Sequence, residues 1–444
     1  MRHTISLGFF VALAALTVGL RTPAEAGYYT PGTASVELRR IAALEVPDAG
    51  RTIDECMLYL YEAFDLQEIE IASVTTDDLQ GHGSSERPAL NANGSIVAFE
   101  SDAPELTGEP GMGRRGQVMI RNRATRTTRL MSARGANASA PGDGESEEPS
   151  ISADGERVAF SSNATDLLLP ALVLKGEGDP GPSHAFLRSV PGSTTVQADV
   201  ADDATPADSE GGFAVISADG DHVAFLSLAA NLVAGDTNGG GGDPFLGADV
   251  FVRHVALGLT ERASLSNDGS QAPGPHGLFS YDLPDALCDF QPPPCQEFFT
   301  GVAMSADGTQ VAFSSVSSAL VAGDGNQSGD PQSGSDVFVR DLTEGSTTRV
   351  SVASDGSEAN GPSFGAAMSA DGRYVAFASF ATNLVPDDTN AGAVPSDQTD
   401  DTELARFAGL DVFVRDRVGG TTERVSVADD GAQANGPSGL FIER

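Results

Sequence analysis

The residues best suited to chemistry in this sequence are acids and amides spaced in loops. Asp236, Asn238 and Asp243 form one such group, Asp324, Asn326 and Asp330 a second, and Asp388 with Asn390 a third. Hard cations such as Ca2+ take several oxygen ligands from flexible loops of this composition, so Ca2+ is the ion these groups would hold. Asp, Asn and Gly are also what ordinary turns use, so a purely local role stands beside the ligand role. No twelve-residue loop closing on a bidentate Glu is present. Asp249, Asp336 and Asp411 each open a strand just after such a loop, as further ligands or as strand starters.

Catalytic patterns are scarce. Gly361-Pro-Ser363-Phe-Gly365 has the GxSxG form, but it begins a repeated strand and has no partnered His, which a nucleophile elbow requires. His82, His184, His222, His254 and His276 share no repeat position, and neither HExxH nor a phosphate loop occurs. Paired carboxylates of the glycosidase kind remain open because acids are abundant. With Trp 0 and aromatics at 6%, sugar-stacking platforms are disfavoured. Cys288 and Cys295 flank a Pro-rich stretch and are placed to form a disulfide closing a small loop, leaving Cys56 as a buried thiol. Cysteine spacing gives no metal site.

The elements that position these groups follow from an internal repeat. Ser-Ala-Asp-Gly-x-x-Val-Ala-Phe starts at Ser152, Ser217, Ser305 and Ser369, with a variant from Asn91. The copies recur roughly every 64 residues, a period of the β-array type, except that the step from Ser217 to Ser305 is longer. Each copy leads to a second apolar strand: Asp249–Arg253, Asp336–Arg340 and Asp411–Arg415, with weaker versions at Gln117–Arg121 and His184–Arg188. A Thr-Thr pair then opens a further strand, as in Thr347–Val352 and Thr421–Val427. Val-Ala-Phe and Val-Phe-Val are apolar on both faces, as strands covered on both sides must be. Asp-Gly supplies the positive φ of a tight hairpin.

Five copies carry four strands each. Before them, Leu58–Glu62 and Ile69–Ser73 match the last two strands of a unit, and Val36–Ile41 the one before. After them, Gly439–Glu443 matches an opening strand that stops. The reading is an all-β, six-bladed β-propeller of four-stranded blades, the C-terminal strand closing the N-terminal blade. An open five-blade array is the alternative. Tight Ser-Ala-Asp-Gly and Thr-Thr turns fall on one face and long loops on the other, where binding normally resides. The long step holds an insertion, residues 267–300, with Phe279, Tyr281, Phe290, Phe298 and Phe299. It serves either as a partner-specific surface or as a small satellite core.

Charge bounds the partners. Lys+Arg 26 against Asp+Glu 63 gives −37, with Lys175 the sole lysine. That excess opposes nucleic-acid and anionic-lipid binding, both of which need clustered Lys and Arg. It suits a salty medium as well as cation binding. Hydrophobic residues at 40% suffice for a core. Met1-Arg2-His3, an apolar run from Ile5 to Leu20 and Ala24-Glu25-Ala26 make a secretory signal, residues 1–26, too short for a spanning anchor. Its removal deletes Arg2, Arg21 and Glu25. Residues 27–56 then lead into the array at 57–444, which is expected to be secreted or periplasmic without membrane insertion.

The motif Ser-Ala-Asp-Gly-x-x-Val-Ala-Phe followed by Asp-Val-Phe-Val-Arg resembles the PD40 (WD40-like) repeats of TolB-like six-bladed propellers, also found in prolyl-oligopeptidase-type peptidases. Here Ala stands where that family has Pro in Ser-Pro-Asp-Gly. The N-terminal α/β domain of TolB-like proteins and the peptidases' hydrolase domain are expected to be absent here. The resemblance implies a fold rather than an activity. The expectation is an exported, non-catalytic propeller that binds a protein or cell-envelope component through its acidic long-loop face, Ca2+-stabilised in one version. The alternative is an extracytoplasmic hydrolase or lyase with carboxylates in the funnel. Oligomeric state is not legible.

Overall fold

The computed structural model describes residues 70–107, 116–135, 140–168, 182–237, 247–283, 295–325, 334–388, 409–434 and 438. Ala72–Ser426 with Gln433–Arg444 form one compact unit, and Met1–Ile71 with Val427–Ala432 a second. The first unit contains five four-stranded antiparallel sheets, each a meander in sequence order. Sheet 1 is β1 (Ser85–Leu90), β2 (Ile96–Ser101), β3 (Gln117–Asn122) and β4 (Thr127–Leu130), with α1 (Pro104–Thr107) the one described helix. Sheet 2 is β5 (Ser146–Ile151), β6 (Arg157–Ser162), β7 (His184–Ser189) and β8 (Thr195–Gln197). Sheet 3 is β9 (Gly211–Ile216), β10 (His222–Ser227), β11 (Asp249–His254) and β12 (Leu259–Arg262). A hairpin, β13 (Leu278–Leu283) and β14 (Cys295–Thr300), precedes sheet 4: β15 (Val302–Met304), β16 (Gln310–Ser315), β17 (Asp336–Asp341) and β18 (Ser346–Arg349). Sheet 5 is β19 (Ser363–Met368), β20 (Tyr374–Ser379), β21 (Asp411–Asp416) and β22 (Thr421–Arg424). Of the segments expected to make a sixth blade, Val36–Ile41, Leu58–Glu62 and Gly439–Glu443 lie outside the described residues, while Glu70–Ser73, the described part of Ile69–Ser73, form no strand. None of the five sheets closes with another.

Each motif residue has a job in this frame. In Ser152-Ala-Asp-Gly155 the serine hydroxyl donates to Asp154 (2.6 Å), Asp154 accepts from the Glu156 amide (2.8 Å), and Gly155 takes φ +75. The alanine looks outward: the amide of Ala92 donates to the Ala153 carbonyl, Ala153 to Ala218, Ala218 to Ala306 and Ala306 to Ala370, at 2.9–3.1 Å. This ladder ties each turn to the next sheet. Proline has no N–H and could not form it.

The arginine that ends the third strand is the second tie. Arg121, Arg188, Arg253, Arg340 and Arg415 each donate to a threonine hydroxyl on their own fourth strand, at 2.7–3.2 Å. Each also donates to a carbonyl in the turn before its own sheet, such as Thr75, Ala133 or Ala353. The fourth strands are shorter than expected. In sheet 4 the ladder stops at Arg349, because the Val337 amide donates to the Ser351 hydroxyl (3.1 Å) instead of to backbone.

Apolar burial fills the seams between successive sheets. Phe160, Phe225, Phe251, Phe313, Phe338, Phe377 and Phe413 are fully buried, and cross-strand partners stack, as in Phe225–Phe251 (centroids 5.8 Å) and Phe377–Phe413 (5.9 Å). Separate clusters join sheets 1 and 2, 2 and 3, 3 and 4, and 4 and 5. Burying one such Phe contributes about 2–3 kcal/mol.

The insertion is smaller than 267–300. Leu265 still bridges Gln271 as in the equivalent turns of other sheets, and His276 and Gly277 already pair with Ser315 and Ser314. The extra chain therefore begins at Leu278 and returns at Val302, splitting the first strand of sheet 4.

Candidate functional site

At the long-loop end every third strand opens on a buried polar residue. Asp249, Asp336 and Asp411 accept from Ser264, Ser351 and Ser426, each two residues beyond the end of the fourth strand. The arginine closing that strand binds the same carboxylate and the expected loop aspartate. Arg262 reaches Asp236 (2.8 Å) and Asp249 (3.6 Å); Arg349 reaches Asp324 (3.1 Å) and Asp336 (3.2 Å); Arg424 reaches Asp388 (3.2 Å) and Asp411 (3.4 Å). Gln271 and Gln433 complete two of the networks, and Glu358, 2.7 Å from Arg349, the third. The three expected aspartates that are described, Asp236, Asp324 and Asp388, thus lie in loops of three separate sheets, each beside a guanidinium. Asn238, Asp243, Asn326, Asp330 and Asn390 lie outside the described residues, as do Cys288 and the Cys295 side chain.

Sheet 4 concentrates the most acid: donor oxygens of Asp324, Asp336 and Glu358 lie within 4.8 Å of one another, with Arg349 bonded to all three. Burial pushes the Asp336 carboxyl up to about 6, against the pull of Ser351 and Arg349. Sheets 1 and 2 vary the theme. Gln117 bonds Ser132 (2.7 Å), and His184 Nδ1 bonds the buried Asp199 (2.6 Å). Ser363 of the GxSxG match is fully buried and bonded to Ser379 (2.9 Å), in strand rather than elbow.

A second polar group was not visible in the sequence. The first strands of sheets 1, 2, 3 and 5 each carry a β-bulge at the same repeat position, four residues before the motif's first residue. The bulged residues are Arg87 (φ 48), Glu148 (φ 58), Phe213 (φ 53) and Gly365 (φ 68). In sheet 4 the β13–β14 hairpin springs from that point. Three of the four bulged residues are non-glycine in left-handed conformations, which persist where the surroundings over-determine them. First strands of successive sheets are neighbours. Ser161 links two of them by accepting from the Phe213 amide (2.7 Å) and donating to Glu148 (3.0 Å).

Arg87 sits among glutamates there: Glu147 at 2.9 Å, Glu100 at 3.5 Å and Glu148 at 3.8 Å. Burial pushes the Glu148 carboxyl up to about 8, helped by Glu147 and opposed by Arg87 and Ser161. Burial likewise raises Glu100 to about 7; Arg87 opposes this, and Glu147, Glu86 and Glu145 add to it. Two carboxyls thus carry protons near neutrality, and the side chains of Glu100 and Glu148 remain 18% and 21% exposed. Perturbed groups of this kind gather where ligands or protons are handled. A bulge changes no residue type, so only the fold reveals it.

Consecutive four-stranded meanders, each packed on the next through both faces, define an array of the β-propeller class. No family model matches the chain, and no curated protein does. Among solved structures it is similar to a putative TolB from Agrobacterium tumefaciens, with 14% identity, TM-score 0.38, and 77% of this chain and 80% of that one covered. It is similar also to TolB from Acinetobacter baumannii, with 14% identity and TM-score 0.32, covering 69% of this chain and 54% of that one. A third is dipeptidyl peptidase 4 from Porphyromonas gingivalis, with 10% identity and TM-score 0.39, covering 81% of this chain and 42% of that one. The chain therefore spans about half the length of two of these proteins. Among the described residues no helix is long and apolar enough to cross a membrane.

Proposed function

We propose that the protein is an exported, non-catalytic propeller that binds a protein or cell-envelope component through the row of first-strand bulges on its long-loop side. One observation carries this reading. On a frame whose motif residues repeat almost without change, the bulge position is filled by Arg87, Glu148, Phe213, Gly365 and a whole hairpin. Structural positions repeat here; this one does not. A partner offering a cationic group beside an apolar one suits the Arg87–Glu148–Phe213 stretch, since it would take the place of the protons on Glu100 and Glu148. Six blades belong to the same proposal. The turn bridged by Val74 and Gln80 ahead of sheet 1 has the form that follows every complete fourth strand, which supports a further unit before it.

In this reading the loop aspartates take their counter-charge from Arg262, Arg349 and Arg424, and Ca2+ is not required for folding. The test is capture of partners from the native envelope fraction by wild type, Glu148→Gln, Phe213→Ala and a variant lacking residues 278–300. Loss of the same partner from at least two variants supports the proposal, and an unchanged partner set sinks it.

Protonated Glu148 beside Arg87 also favours a second reading, acid catalysis in a hydrolase or lyase. Turnover of any glycoside or ester in a substrate panel that Glu148→Gln abolishes would replace the first reading with this one.

A further inference from the structure

A different cluster lies at the opposite, short-turn end of sheet 3. His222 opens β10 and His254 closes β11, and the two are direct cross-strand partners. Their rings stand 4.9 Å apart, centroid to centroid, at 82°. Glu261 on β12 holds His254 Nε2 at 2.5 Å, and Asp219 Oδ1 stands 3.7 Å from His222 Nδ1, a buried nitrogen without a hydrogen-bond partner. The imidazoles are 21% and 19% exposed, and the carboxylates 46% and 43%. The repeat does not explain the set. The same positions hold Gln310, Asp341 and Thr348 in sheet 4, and Tyr374, Asp416 and Glu423 in sheet 5.

We propose that His222 and His254 form a site for a borderline divalent transition ion such as Zn2+, Ni2+ or Co2+. Two imidazoles on one tetrahedral ion, with metal–nitrogen bonds of about 2.0–2.1 Å, place their ring centroids about 5 Å apart, the separation found here. Each ring has one nitrogen beside a carboxylate, Glu261 for His254 and Asp219 for His222. That leaves the other nitrogen of each ring for the metal. For His254 this is the carboxylate–histidine–metal arrangement that fixes tautomer and ring orientation, whereas Asp219 lies 3.7 Å from His222 Nδ1 without bonding it. Imidazole favours such ions over Ca2+, which seeks oxygen. Solvent completes the coordination, so the ion exchanges. The site bridges β10 and β11 where they face the turn of Gly308, whose lack of a side chain leaves room for the His222 ring.

The test uses the untagged mature protein with Zn2+ in calorimetry and Co2+ in visible absorption. The expected result is one Zn2+ per chain, with affinity weakened at least about tenfold by His222→Asn or His254→Asn. His82→Ala, at an exposed histidine elsewhere, should leave it unchanged. In the wild type, Co2+ should broaden the NMR signals of two histidine rings and spare the rest. That readout does not depend on how any variant folds. No saturable Zn2+ uptake, equal uptake by the double variant, or a thiolate-type Co2+ spectrum pointing to the cysteines would each overturn the assignment.

Discussion

Glu148 and the aspartates at the heads of the third strands are ionisable groups with different partners. Glu148 is raised in the folded chain, so the native state holds its proton over a pH range where the unfolded chain has lost it. Its stabilising contribution is complete below the ordinary glutamate value and is lost as pH rises through about 8. Glu148→Gln keeps the acceptor for Ser161 and abolishes the charge. The variant should therefore be more stable than wild type at pH 8.5, by on the order of 1–2 kcal/mol after solvent screening, and nearly equal at pH 4.5. Urea melts at the two pH values check this, and equal curves at both would refute it. At the strand heads the question is pairing rather than protonation, because carboxylate and guanidinium are buried together. Arg424→Met leaves the buried Asp388 and Asp411 without their shared guanidinium, with Ser426 and Gln433 as neutral donors. Breaking one partner from such a pair typically costs about 3–5 kcal/mol. A thermal midpoint lowered by less than a degree would mean the pair is ornamental.

At the level of elements, the sheets are joined by backbone ties that the repeat encodes directly. The Ala92–Ala153–Ala218–Ala306–Ala370 ladder runs through every described seam. Ala218→Pro, which restores the residue usual in the resembling family, removes the donor to Ala306 and leaves that carbonyl unpaired. A cost of about 1–2 kcal/mol is expected, read as a lower denaturant midpoint with unchanged slope. A stabilised variant would show that the ladder contributes less than proline's gain in chain entropy. The strands, their order and the tight turns were legible, because doubly apolar strands leave short continuous apolar runs and Asp-Gly hairpins leave turn signals. The Asp-x-Asn loops were legible as acidic but not as paired. Arg262, Arg349 and Arg424 lie 25–36 residues downstream of their loop aspartates, and sequence distance hides that contact. The bulges were illegible altogether. Arg87, Glu148 and Phe213 share a backbone conformation and no chemistry, and the insertion looked longer than it is because its first residues repeat the ordinary turn.

For the molecule as a whole, the decisive quantity is the imbalance of −37. Part of the acid is neutralised locally by arginines buried at the strand heads, where bulk salt screens poorly. Many of the other described carboxylates are exposed, so they repel one another across the surface and are screened within about 8–10 Å at physiological salt. The two populations respond differently to ions, which separates screening from site binding. Raising NaCl from low to moderate concentration should increase the thermal midpoint by a few degrees, as self-repulsion weakens. If Arg262, Arg349 and Arg424 supply the counter-charge for Asp236, Asp324 and Asp388, CaCl2 should do no more than NaCl of equal ionic strength, and chelator should lower the midpoint by less than a degree. A rise of several degrees specific to Ca2+ would mean that the ion displaces an arginine. The cluster to examine first would then be Asp324, Asp336 and Glu358, where three carboxylates share one guanidinium and a divalent ion has the most charge to gain.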